Sequence, residues 1–104
     1  MALEIIHHPE KKELTVRISG RFDFSVHQDF RKATEWDRDR VKTITVDLRN
    51  TEYMDSSALG MLLILRDKMN NDPSAIRLLN ANPEVKKILE IANFQKLFTL
   101  ASNR

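Results

Sequence analysis

Residues 44–65 read ITVDLRNTEYMDSSALGMLLIL, and the change of hydrophobic period inside this stretch decides the fold. Over residues 43–48, Ile44, Val46 and Leu48 alternate with Thr45 and Asp47, and β-branched residues at a period of two suit a central strand. From residue 56 to about 69 the composition turns to Ala, Leu and Met, which favour a helix. Asp55 or Ser56 can accept hydrogen bonds from the first-turn N–H groups that lack partners inside that helix. Residues 49–52 read as a polar connection. The helix is apolar nearly all round for two turns and so must be covered on more than one side, whereas Arg66, Asp67, Lys68 and Asn70 carry its far end into water.

On the N-terminal side, residues 3–8 and 13–19 are β-favouring runs separated by a Pro-containing charged turn, which predicts a hairpin. In the second run Leu14, Val16 and Ile18 share one face, opposite Thr15, Arg17 and Ser19, and Gly20 ends it. Ser25 is the expected N-cap of a helix with Val26, Phe30 and Ala33 on one stripe, fraying in the charged residues 37–40. On the C-terminal side, turn chemistry at residues 71–74 precedes a short buried strand at 75–79. Asn82 followed by Pro83 is a helix start, with Val85, Ile88, Leu89 and Ala92 on one stripe and Asn93 as the stop. Residues 94–100 supply either a last short strand or an apolar lid. The order β-β-α-β-α-β-α-(β) asks for a single α/β domain over residues 1–104, a mixed sheet with helices packed mainly on one face.

A chain of 104 residues with 41% hydrophobic and 31% charged side chains has the means to fold as an ordinary globule. Its net charge of +2 is spread along the chain, with cations gathered no further than short pairs such as Lys11-Lys12 and Lys86-Lys87, so a nucleic-acid interface is not expected. The lack of Cys excludes disulfides and thiolate metal sites. The N-terminus has no secretory pattern, and the apolar run 58–65 falls far short of the roughly 20 residues of a membrane span. The expected compartment is the cytoplasm, with no membrane partner.

Catalytic constellations fail on spacing. No nucleophile elbow surrounds Ser56 or Ser57, and the histidines at 7, 8 and 27 sit in no motif that would make one a base. His7 and His8, adjacent on a strand, point to opposite faces and read as a solvated strand end. Asp47 falls on the polar face of its strand and needs no function to explain it. Two glycines cannot build a phosphate cradle, and neither a cofactor nor a metal is expected. Phe30 reads as core, and of Phe22 and Phe24 one is expected to stay exposed. Asp55-Ser56-Ser57 remains: a cap needs one such residue, not three. A phosphoryl group on Ser56 would sit at the positive end of a helix, which tolerates an anion. It would add a charge of about −1.5 to −2 and repel a docked partner without unfolding anything.

The segment MDSSALG resembles the signature of the STAS domain, the family of bacterial anti-sigma factor antagonists, in which a strand is followed by D-S-[ST]-G-L-G opening a helix. Gly20-Arg21-Phe22-Asp23 is similar to the family's G-x-hydrophobic-D, and IRLLNANPEVKKILEIANFQKLF to its C-terminal half. The resemblance covers nearly the whole chain and implies a non-catalytic regulator. Ser56 falls where the family places its phosphoacceptor, with Asp55 and Ser57 as neighbours. The implied partners are an anti-sigma factor with serine-kinase activity and a serine phosphatase, in some subgroups fused to a response regulator. The implied partner-binding surface comprises Arg21, Asp23, Ser25, Met54, Ala58, Met61, Asn80 and Asn82. Ala58 departs from the usual Gly and stiffens the first turn by about 1 kcal/mol. The alternative is a non-phosphorylated scaffold subunit of a stress-sensing or lipid-transport assembly.

Overall fold

The structure is a computed structural model that describes residues 3–37 and 39–102. Arg38, within the charged stretch expected to end the first helix, lies outside the described residues. Strands β1 (Leu3–His8) and β2 (Glu13–Ile18) form the expected antiparallel hairpin. Parallel strands β4 (Thr43–Asp47), β6 (Ile76–Leu79) and β7 (Thr99–Ala101) extend it to a five-stranded mixed sheet of order β1-β2-β4-β6-β7. Residues 43–48 thus do supply the central strand. One face carries Leu14, Val16, Ile18, Ile44, Val46, Leu48, Ile76 and Leu78, all essentially inaccessible to water. Helices α1 (His27–Ala33), α2 (Ser56–Lys68) and α3 (Pro83–Ile91) cover it with Phe30, Ala33, Leu62, Leu65, Val85 and Leu89.

The opposite face is polar. Glu4, Arg17 and Asp47 stand in register on three neighbouring strands, and the Arg17 guanidinium bridges both carboxylates, at 3.3 Å and 3.2 Å. Asp47 also accepts the Arg49 N–H, so its burial is matched by partners and its role is structural, as expected.

Three local readings need correction. Residues 49–52 are not merely a connection: Thr51 opens strand β5 (Thr51–Met54), which pairs in parallel with β3 (Gly20–Phe22). Gly20 therefore starts a strand instead of ending one. Its φ of +77° suits glycine, and its N–H donates to Asn50 O at 2.8 Å. Strands of three and four residues are too short to show a period, and the signal that pins them is tertiary, the buried Thr51 hydroxyl donating to Ile18 O. Secondly, Ser25 is not the N-cap. Asp23 caps a 3-10 turn over Phe24–Val26 that leads into α1, because its extended backbone brings its carboxylate to the Ser25 N–H. Thirdly, His7 is no solvated end. Its ring packs on Trp36 with centroids 4.4 Å apart, since it shares the core-side face of Leu14.

Residues 94–100 turn out to be both lid and strand: Phe94 and Phe98 are buried ring against ring, and β7 follows. Asn93 does stop α3, in the left-handed conformation that Asn tolerates. Among the described residues no helix is long and apolar enough to cross a membrane.

Candidate functional site

The β3–β5 pair matters because it leads two carboxylates out side by side. Phe22 and Met54 are register partners, so Asp23 and Asp55 are the next residues out on each chain, and Asp55 N–H reaches back to Phe22 O at 3.4 Å. Each aspartate then begins a helical segment.

Asp55 is the N-cap of α2. Its Oδ1 accepts the Ala58 N–H at 3.1 Å and the Ser57 hydroxyl at 2.6 Å. The Ser57 bond is the largest of the influences that hold its carboxyl below the usual carboxylate range, over a partial desolvation and the nearby Asp23 charge that act the other way. Asp23 Oδ1 likewise accepts the Ser25 hydroxyl at 2.5 Å and the Ser25 N–H at 2.9 Å, while Arg21 Nε reaches its Oδ2 at 3.3 Å. Its carboxyl is lowered too, first by the Ser25 hydroxyl. Both groups are therefore anions at neutral pH.

These contacts separate the two serines. The Ser57 hydroxyl is half-buried and engaged, whereas Ser56 is exposed and its hydroxyl makes no hydrogen bond among the described residues. An unassisted serine hydroxyl is a weak nucleophile. Ser56 Oγ is thus exposed, with no base hydrogen-bonded to it among the described residues.

The structure brings Arg21, Asp23, Ser25, Asp55, Ser56 and Ser57 into one surface. It removes two residues of the expected contact set from that surface: Met54 is 2% exposed and Ala58 0%. Both face the core, because the β5 end and the first α2 turn must pack before they can present their polar neighbours. Met61 is also buried, at the floor of a groove between α1 and α2. Asn82 caps α3 through Val85 N–H and donates to Thr51 O at 3.0 Å. Together with Asn80 it lines a separate cleft with Arg49 and Lys86, at the end of β5 away from Asp55.

Two aromatics flanking these turns are exposed: Phe24, as expected of one of Phe22 and Phe24, and Tyr53, which was not singled out. Phe24, 68% exposed, stacks on His27 with centroids 5.0 Å apart, and Tyr53, 42% exposed, lies under the Arg21 guanidinium at 4.7 Å. For Tyr53 the signal was its neighbour Glu52 on an already polar strand.

The family model described as the STAS domain matches residues 2–104. A STAS-domain containing protein of Pseudomonas aeruginosa (strain UCBPP-PA14) is 50% identical over 97% of this chain and 100% of its own length. The anti-sigma F factor antagonist of Paenibacillus polymyxa is 27% identical, covering 99% of this chain and 88% of its own. Among solved structures, the anti-sigma factor antagonist SpoIIAA in its unphosphorylated form superposes with a TM-score of 0.75 at 20% identity, over 99% of this chain and 90% of that one. The phosphorylated form of the Bacillus protein gives 0.70 at 18%, over 99% and 92%. The residues that pair β3 with β5 and open α2 are thus set in a fold shared across these proteins, and the chain belongs to the STAS domain family.

Proposed function

We propose that this protein is an anti-sigma factor antagonist that works by partner switching in the cytoplasm. The unphosphorylated protein binds an anti-sigma factor and frees the sigma factor. The anti-sigma factor, acting as a serine kinase, transfers the γ-phosphoryl group of ATP to Ser56 Oγ, and a serine phosphatase, of the kind fused to a response regulator, removes it.

The observation that carries this reading is the contrast between an exposed, unbonded Ser56 hydroxyl and a Ser57 hydroxyl held by Asp55. The names of the relatives and the phosphorylated form of SpoIIAA support it. Phosphate at Ser56 would meet the N–H groups of α2, so the helix persists. It would also add a charge of about −1.5 to −2 beside the Asp23 and Asp55 anions, and a partner that tolerates two negative charges there meets roughly twice as many. Release follows from local repulsion and bulk, with no refolding of the chain.

The test is intact-mass analysis after incubation with the cognate kinase and ATP. Wild type and Ser57→Ala gain one phosphate and Ser56→Ala gains none. A pull-down in which Ser56→Ala holds the partner and Ser56→Asp loses it completes the case. Equal capture by both would replace the switch with a constitutive scaffold.

A further inference from the structure

Between α1 and α2 runs a groove of about 320 Å³. Phe30, Met61 and Leu65 form its floor, and Ile64, 57% exposed, stands on one wall with exposed Leu63 beside it on the helix. Arg31 projects from the α1 side and Lys68 from the α2 side. Neither makes an ion pair among the described residues, and no acidic residue lines the groove, although Asp29 and Asp67 lie on the same two helices. An apolar floor with unneutralised cations on both sides is the complement of one shape: a helix with an apolar stripe flanked by carboxylates.

We propose that the α1–α2 groove is a second protein-docking surface, and that its occupant is an acidic amphipathic helix of a partner protein. A lipid surface fits less well, because the floor is recessed and a flat bilayer reaches only Ile64 and Leu63. A second copy of this chain fits less well still. Two copies packed face to face about a two-fold axis would set Arg31 and Lys68 against their own kind, and α3, the other helix with an exposed apolar residue at Ile91, carries Lys86 and Lys87 beside Glu84 and Glu90 and so offers no net negative charge.

The groove adjoins the Ser56 surface at one end, where its His27 stacks on Phe24, but its cations lie away from Ser56. Ile64 lies eight residues along α2 from Ser56, about 12 Å by helical rise, beyond the roughly 8 Å over which charge is felt at physiological salt. A charge added at Ser56 is therefore largely screened where the groove carries its cations, and binding in the groove is nearly independent of the state of Ser56.

Fluorescence anisotropy with a labelled peptide tests this, using leucine at positions i, i+3, i+4 and i+7 and glutamate elsewhere, beside a version with lysine for glutamate. Wild type should bind the glutamate peptide saturably, and the lysine peptide about tenfold or more weakly. Ile64→Glu, at an exposed position that leaves the fold intact by circular dichroism, should weaken binding by a similar factor. Arg31→Glu/Lys68→Glu should reverse the preference, and Ser56→Asp should change binding less than about twofold. The proposal is overturned by lack of saturable binding, by equal binding of the two peptides, or by indifference to Ile64→Glu. It is equally overturned if phosphatidylglycerol vesicles bind where the peptide does not, or if sedimentation shows a dimer that Ile64→Glu dissolves.

Discussion

Two turns at the candidate site are built alike and present different things. Asp23-Phe24-Ser25 and Asp55-Ser56-Ser57 each begin with an aspartate whose Oδ1 takes the hydroxyl of the serine two residues on. In the first turn the same oxygen takes the Ser25 N–H and the backbone tightens into a 3-10 turn; in the second it takes the Ala58 N–H and opens a 13-residue α-helix. The middle residue faces water in both. It is an aromatic ring in one and a hydroxyl in the other. A third copy of the device, Asp72-Pro73-Ser74, has the same two hydrogen bonds and lies in the turn before β6. The aspartate–serine clasp is therefore architecture. What differs between the three copies is the middle residue, Phe24, Ser56 or Pro73.

The comparison breaks most severely if α2 loses its seat. Leu62 is fully buried, and Leu62→Ala should cost about 2–5 kcal/mol in urea unfolding, which would leave Ser56 on a helix no longer fixed relative to Asp23. Next comes the exposed ring of Phe24. Phe24→Ala should leave stability within about 0.5 kcal/mol and weaken capture of the Ser56-dependent partner by about tenfold, as loss of an exposed aromatic contact does.

Smaller effects sharpen the clasp. Asp55→Ala should cost about 1 kcal/mol as a lost N-cap, and Ser57→Ala about 0.5–1.5 kcal/mol as a lost hydrogen bond, whereas Ser56→Ala should lie within about 0.5 kcal/mol of wild type. The order Asp55 and Ser57 above Ser56, read by thermal or urea unfolding, distinguishes scaffold from cargo.

Acid gives the last and smallest contrast. The folded state lowers the affinity of Asp55 and Asp23 for protons, so their contribution to stability is complete at neutral pH. It is lost as pH falls from the ordinary carboxylate range, about 4, toward their lower folded values. Asp55→Asn should therefore show a shallower loss of stability than wild type below about pH 5, with no difference in slope above it.

Much of this architecture was legible in the residues. Strands over residues 13–18 and 43–47 announced themselves by a period of two, α3 by Asn82-Pro83, and α2 by composition and a polar lip. The excess of capping groups pointed to a helix start able to bear a phosphate, and the family resemblance alone supplied the surface around Ser56. Three things did not show. Strands β3 and β5 are too short to carry a period, and their pairing rests on contacts between residues some thirty apart, such as Thr51 Oγ1 with Ile18 O. Asp23 displaced Ser25 as cap because the choice between neighbouring acceptors depends on backbone angles that the sequence does not print. Met54 and Ala58 sit beside the exposed serine in sequence yet face inward, because adjacent side chains on a strand end or a first helical turn point in different directions.

By itself, then, the sequence determined which segments alternate, which wind, where a helix can begin, and that one serine at that beginning is spare. Local backbone geometry and side-chain chemistry suffice for those. Only the tertiary structure decided that Asp23 and Asp55 emerge together and that Arg31 and Lys68 face one groove from two helices. Those are distances between parts of the chain that have no fixed relation until the core has packed.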